Sequence, residues 1–281
     1  MPNTDGSIFP VQSDVLVRQA DLGRDGTADA IGAARWLEDA RIRLRLRRFE
    51  RLVASGGFVP FQIFLVNQRI ERLRPAGRAG ARAQVHTGVR RIGQSSFTYE
   101  QAAFIDGSQV ASGDATIVLI GASGPLSLPD ELVEDLGELA LPESSAAPTV
   151  RPGPERSRRD HYPYFAPLLA RIGDVDSNQH VNYMALATYY DEAVAAFVRH
   201  AAGTAGTDPV PDLPPQSYRV HYLGEVTYPG RYELGVVVRS VGADSVSYEL
   251  GVFRDSECLG VAEAVGPRGD LNAESLKAWT G

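Results

Sequence analysis

The feature that most constrains this chain is that its second half repeats its first. Arg18 and Arg171, Asp21 and Asp174, Trp36 and Tyr189, and Ala40 and Ala193 share one spacing, 153 positions, the distance from 18 to 171. The same spacing returns at Gly77-Arg78 and Gly230-Arg231. After a small length difference the match resumes 149 positions apart, the distance from 93 to 242: Gly93 with Gly242, Tyr99-Glu100 with Tyr248-Glu249, Phe104 with Phe253 and Asp106 with Asp255. Matches in order, between elements of the same expected type, are not what chance produces. The length, 281 residues, suits two domains of ordinary size.

Each half reads as a strand, a long helix and a strand meander. In the first, Val15 to Arg18 is a short strand, and Ala28 to Val53 is a helix ended by Gly56-Gly57 and Pro60. Leu37, Ala40 and Leu44 lie on one side of that helix, and Ile42, Leu46, Phe49 and Val53 on another. Strands follow at 61–73, 81–91, 95–105 and 109–120, with a turn signal at Asp106-Gly107. In the second half the strand is 162–171, the helix 180–200, and the meander 217–226, 232–241, 245–253 and 257–265. Between the halves, Gly121 to Asp160 is rich in Pro, Ser, Ala and acidic residues, with a short helix expected near 129–139. So long a stretch is uncommon inside one compact domain. The expected boundaries are therefore 1–121, a linker over 122–160, and 161–281, with a peripheral tail from Gly266.

The densest chemistry lies in Asp174-Val175-Asp176-Ser177-Asn178-Gln179-His180-Val181-Asn182-Tyr183. Tyr183, Leu186, Tyr190, Ala193 and Phe197 then recur at helical spacing, so the polar cluster stands at a helix N-terminus. Unpaired backbone N–H groups and the positive end of the helix dipole gather there and favour a polarised carbonyl oxygen. Across the repeat, Asp176 stands opposite Gly23, Asn178 opposite Asp25, His180 opposite Thr27 and Asn182 opposite Asp29. Only the second copy has the carboxylate and imidazole needed for acid–base work.

This run, with the aromatic helix that continues through Asp191-Glu192-Ala193, resembles the signature of hotdog-fold acyl thioesterases. The Asp176-x-Asn178-x-His180 spacing is closest to the acyl-ACP thioesterases of plants and bacteria. The resemblance implies an α+β double hotdog, two fused units in each of which a curved antiparallel sheet wraps a long central helix. In that fold the two sheets join edge to edge, which removes exposed strand edges. It also implies one unit that catalyses and one that shapes the acyl pocket. A further acidic residue is implied on the strand after the helix; the matching position is Glu225, set opposite Arg72 by the 153 spacing. Plant members have Cys after this Glu, whereas this chain has Val226, so a thiol nucleophile there is unavailable. Cys258, the only cysteine, lies on another strand and is expected to be structural.

The implied reaction is hydrolysis of an acyl-CoA or acyl-ACP thioester to acid and thiol. Backbone N–H groups from Gln179 to Val181 would receive the oxyanion. Asp176 would act as base on water or attack directly to form an anhydride. His180 and Glu225 would orient or activate the water, and Asn178 would hold the network in register. Asn182 either contacts substrate or caps the helix. The expected catalytic set is Asp176, Asn178, His180 and Glu225, with Gln179, Val181 and Asn182 binding substrate. Asp174, like Asp21, is expected to cap backbone donors. The chemistry needs no metal and no cofactor. The rivals are a hotdog hydratase or dehydratase and a non-catalytic acyl-thioester-binding protein.

The formal charge of −7 and a pI near 5.3 argue against a general nucleic-acid binder. A single cysteine allows no intrachain disulfide and no Cys-rich zinc site. Met1 to Pro10 shows no charged-then-apolar leader, and no apolar run is long enough to span a membrane, so a cytoplasmic home is expected. One chain equals a dimer of single-unit hotdog proteins; such dimers often associate further, which leaves a homo-oligomer open. Arg41, Arg43, Arg45, Arg47, Arg48 and Arg51 interleave the first helix. They read either as a solvated, paired face or as a patch for an acidic carrier or a CoA phosphate, and the first reading is favoured.

Overall fold

The computed structural model describes residues 6–54, 62–121, 124–142, 151–177, 179–204 and 211–280. The expected helix stop at Gly56-Gly57 and Pro60, the side chains of Phe49, Arg51 and Val53, and Asn178 lie outside the described residues. The chain divides into two compact units, Met1–Pro148 and Thr149–Gly281. Among the described residues no helix is long and apolar enough to cross a membrane.

The first unit consists of β1 (Val11–Leu16), α1 (Ala30–Ala54), β2 (Gln62–Arg72), β3 (Arg82–Ile92), β4 (Ser96–Ile105) and β5 (Ser108–Gly121). Its strands run antiparallel in the order β1-β3-β4-β5-β2. Helix α1 packs on this sheet, and Trp36, Leu37 and Ala40 meet Val15, Val85, Ala103 and Ala111 in one core. A short β6 (Gly124–Pro125) pairs with the end of β5, and α2 (Asp130–Gly137) follows.

The second unit repeats the plan with β7 (Tyr164–Leu169), α3 (Tyr183–Ala201), β8 (Ser217–Tyr222), β9 (Arg231–Val241), β10 (Ser245–Arg254) and β11 (Glu257–Pro267), followed by α4 (Ala273–Lys277). Its order is β7-β9-β10-β11-β8, again antiparallel. Helix α3 buries Leu186, Tyr190, Ala193, Val194 and Phe197, the broad stripe that a three- and four-residue spacing produces. Phe197 meets Tyr248 of β10 edge to face at 5.9 Å. The architecture is α+β, and each unit has the hotdog arrangement of a long helix against an antiparallel sheet.

The strand registers correct part of the alignment made on sequence. The spacing of 153 holds through the first strand and the helix, but Arg72 pairs with Ala111 where Tyr222 pairs with Gly260. Gly260 is 149 beyond Ala111, so Tyr222, 150 beyond Arg72, is its structural counterpart. The Ala28 N–H donates to the Ala76 carbonyl as the Val181 N–H does to that of Val226, which repeats the 150 spacing. Glu225 therefore stands opposite Pro75, not Arg72. Likewise Val17 N–H bonds Ala81 where Ala170 N–H bonds Gly230, so the Gly77-Arg78 match with Gly230-Arg231 is a coincidence of sequence. The physical reason is that loops absorb length differences freely, whereas ladder hydrogen bonds fix the strands.

The stretch assigned to a linker is largely structured. Leu126 N–H bonds the Leu119 carbonyl, and Leu139 and Leu141 exchange backbone bonds with Val89 of β3. Leu132, Leu136 and Leu139 are buried in the first unit. Arg48 of α1 reaches Asp135 at 2.7 Å and Glu138 at 3.3 Å, while Arg41 is buried beside Gln68 and Gln101. These pairings account for two of the interleaved arginines as structural. Residues 151–162 lie on the second unit, where the Tyr162 ring packs on Phe253 and Phe165. Gly235 and Gly251 face each other across β9 and β10, and a Cβ on either would meet that ring.

The tail is likewise not peripheral. Leu271 and Leu276 are buried, Trp279 packs on Tyr164, Phe197 and His200, and the Trp279 carbonyl accepts the Val238 N–H at 3.0 Å. Leu276→Ala should cost about 2–5 kcal/mol, the usual range for a buried leucine. A urea unfolding midpoint within error of wild type would contradict this packing.

Candidate active site

The loop before each helix is held by one device. In the second unit the Asp174 carboxylate accepts from Arg171 Nε at 2.9 Å, Arg171 Nη2 at 3.1 Å and the Tyr189 hydroxyl at 2.6 Å. In the first unit Asp21 accepts from Arg18 and from the Trp36 indole N–H at 3.2 Å. Burial opposes ionisation of Asp174, but the Arg171 and Tyr189 hydrogen bonds outweigh it and hold the carboxyl below its ordinary value. Both aspartates are structural anchors.

Beyond the anchor the two loops follow the same path. Gly23 N–H bonds the Thr27 carbonyl, and Asp176 N–H bonds that of His180. Gly26 N–H returns to Gly23, and Gln179 N–H to Asp176. Gly26 has φ +76° and Gln179 φ +69°. Glycine adopts that conformation freely, whereas a side chain there costs about 1 kcal/mol. Strained backbone of this kind is common at functional sites.

On this scaffold the second unit places Asp176 and His180 together. Asp176 Oδ1 lies 3.8 Å from His180 Nδ1, and the two side chains are 21% and 15% exposed. That is an ion-pair distance, longer than a hydrogen bond; catalytic contacts in unliganded sites are often loose. The first unit has Gly23 and Thr27 at these places, and its Asp25 and Thr27 are bound by Arg72 Nη2 at 2.7 and 2.6 Å. Arg72 stands at the structural position of Tyr222, whose ring packs on Tyr183 at 4.7 Å.

The remaining expected residues divide. Asn182 caps α3, its Oδ1 accepting the Met184 N–H at 2.8 Å. The backbone N–H groups of Gln179 and Val181, expected to receive an oxyanion, are already bonded to Asp176 and Val226. The Val181 side chain is buried, and Gln179 is exposed. The expectation for the oxyanion therefore narrows to the His180 N–H, which has no protein acceptor among the described residues. Glu225 is exposed in the segment after β8, not on the strand, which ends at Tyr222. His221 is buried within β8, and burial pushes its pKa down. Cys258 is half-buried beside the Tyr162 cluster on β11, where burial raises the thiol pKa; such a thiol is a poor nucleophile. Among the described residues no group of three or more His, Cys, Asp or Glu could hold a metal ion.

Sequence reasoning missed the loop that backs His180. His180 pairs with Thr227, Val181 donates to Val226 at 2.7 Å, and Tyr232 binds Thr227 through its hydroxyl. The signal was available as an asymmetry of the repeat. Tyr232 stands 149 beyond Ala83, a small residue where the second unit has a phenol.

No family model matches this chain. No curated protein matches it either. Solved structures do. The 12:0-ACP thioesterase from Umbellularia californica superposes with a TM-score of 0.70 at 14% identity, covering 92% of this chain and 97% of that one. An acyl-ACP thioesterase from Bacteroides thetaiotaomicron superposes with a TM-score of 0.61 at 15% identity, covering 91% and 97%. At these identities the likeness establishes the fold alone, a double hotdog.

Replacing Asp174 by Asn removes the charged acceptor for Arg171 and Tyr189 and should cost on the order of 1–3 kcal/mol at neutral pH. The folded chain holds this carboxyl more acidic than the unfolded chain does. Its contribution is thus whole above the ordinary carboxylate value, about 3.9, and fades as pH falls through its lower folded value. The difference in urea midpoint between wild type and Asp174→Asn should narrow in acid. A difference that widens there would contradict an ionised anchor.

Proposed function

We propose that this chain is a thioester hydrolase acting on an acyl group borne by CoA or acyl carrier protein. The observation that supports this best is the pairing of Asp176 with His180 just before the start of α3. The double-hotdog fold agrees with that reading.

The thioester carbonyl would sit with its oxygen at the His180 N–H, near the positive end of α3. Attack on the carbonyl carbon moves the C=O electron pair onto oxygen, where the N–H and the helix dipole stabilise it. Asp176 either removes a proton from the attacking water or attacks the carbon itself. In both routes the tetrahedral species collapses by breaking C–S and expelling a thiolate, a leaving group that needs little protonation; in the second route water then cleaves the Asp176 anhydride, releasing the acid and restoring the carboxylate. His180 orients the Asp176 carboxylate and the water, and Glu225 is the further acid proposed for the same task. Asn178 is proposed to hold the network. Asn182 is assigned to helix capping. The first unit, with Gly23 and Thr27 at the matching places, is proposed to have no part in the chemistry.

The test is thiol release across a series of acyl-CoA and acyl-ACP substrates. Wild type should turn over at least one of them, and Asp176→Asn should lose about a hundredfold or more in kcat. Equal activity in wild type and Asp176→Asn would remove Asp176 from the mechanism. Absorbance loss from an enoyl thioester without thiol release would point to a hydratase.

A further inference from the structure

We infer that Tyr232 is a positioning residue for His180, acting through the loop from Glu225 to Gly230; this rests on the hydrolase reading above. The Tyr232 side chain enters from β9 and is almost fully buried. Its hydroxyl meets both backbone groups of one residue. The Thr227 N–H donates to it at 2.8 Å, and it donates to the Thr227 carbonyl at 2.8 Å. Thr227 is the residue that pairs with His180 in an antiparallel bridge, and the adjoining Val226 carbonyl takes the Val181 N–H at 2.7 Å. One phenol therefore fixes the strip of backbone against which His180 and Val181 lie. The backbone that bears Glu225 is continuous with that strip.

Gly230 makes room for this clamp. A Cβ there would lie 2.5 Å from the Tyr232 hydroxyl and 2.7 Å from the Thr227 carbonyl oxygen. Ala170 N–H bonds the Gly230 carbonyl at 3.1 Å, which ties the far end of the loop to the end of β7. The Arg254 guanidinium lies 5.7 Å over the Tyr232 ring.

The fold does not require the clamp. The first unit has Ala83 at the matching strand position and closes its loop through backbone bonds, from Ala28 N–H to the Ala76 and Gly77 carbonyls and from Gly80 N–H to the Val17 carbonyl, with no phenol at that position. A phenol present only in the copy that has Asp176 and His180 points to a task in that copy's chemistry. The imidazole must hold its place beside Asp176 to within a fraction of an ångström, and backbone drift of about 1 Å can cost as much as a hundredfold in rate.

The experiment compares Tyr232→Phe with Tyr162→Phe in the full chain. Tyr162 is a second buried phenol of the same unit, bonded to the Arg156 carbonyl at 2.7 Å on the sheet face that bears Phe253. Tyr232→Phe should lower kcat by about tenfold or more while KM stays within about twofold. Tyr162→Phe should leave both unchanged at matched folded fraction. In Tyr232→Phe the Thr227 and Val181 amides should exchange with solvent faster than in wild type, a readout that does not depend on turnover. Equal kcat in Tyr232→Phe and wild type, an equal loss in both variants, or unchanged exchange at Thr227 and Val181 would overturn the inference. Absence of thiol release from wild type would instead defeat the hydrolase reading and leave the exchange result to judge the clamp.

Discussion

Both halves of this chain depend on a carboxylate at the mouth of a helix. Asp21 and Asp174 each bind the arginine three residues earlier and an aromatic donor in the second turn of the helix, Trp36 or Tyr189. The arrangement joins strand end, loop and helix at one point. It satisfies polar groups that burial would otherwise leave unpaired, which is why the charge is tolerated there. In the first unit the helix comes so close that a Cβ on Gly32 would overlap the Asp21 carbonyl oxygen. In the second, the Asp174 carbonyl accepts the Asn182 N–H at 2.8 Å and so fixes where α3 begins. The loop between anchor and helix is then short, and two of its backbone hydrogen bonds recur in both copies.

What differs is what the loop presents. The first copy has Gly23, Gly26 and Thr27, with an Arg72–Asp25 pair over them. The second has Asp176, Gln179 and His180, accepts a left-handed conformation at Gln179, and backs His180 with a clamped loop. One scaffold has thus been used twice, once without and once with groups able to exchange protons. The non-glycine backbone strain of this loop, at Gln179, falls in the copy proposed to react, as expected where preorganisation matters more than stability.

The repeat, the two helices and nearly every strand were legible in the sequence, because periodicity and turn residues are local. The front of the repeat was legible because the Arg18–Asp21 and Arg171–Asp174 pairs sit in loops of equal length. The register of β8 was not, because unit lengths diverge between α3 and β8 and no side-chain pattern reports where the difference falls. Glu225 was consequently matched to Arg72 when Tyr222 holds that place. The region after Gly121 was read as a linker from its Pro, Ser and acidic content. Leu132, Leu136 and Leu139 had the spacing of a docked helix, and Tyr162 had a large surface to bury. Composition describes what a segment can expose, whereas docking depends on the shape of the surface it meets. The Tyr232 clamp left only the Tyr232–Ala83 asymmetry in the sequence, since its partners are backbone groups of Thr227 that any residue would supply.

The most direct test gives the second copy the residues of the first: Asp176→Gly together with His180→Thr in one chain. The account predicts an unfolding midpoint close to wild type, since the first unit builds the same loop with those residues, and loss of thiol release from acyl thioesters. Thiol release at the wild-type rate from the doubly substituted protein would contradict it.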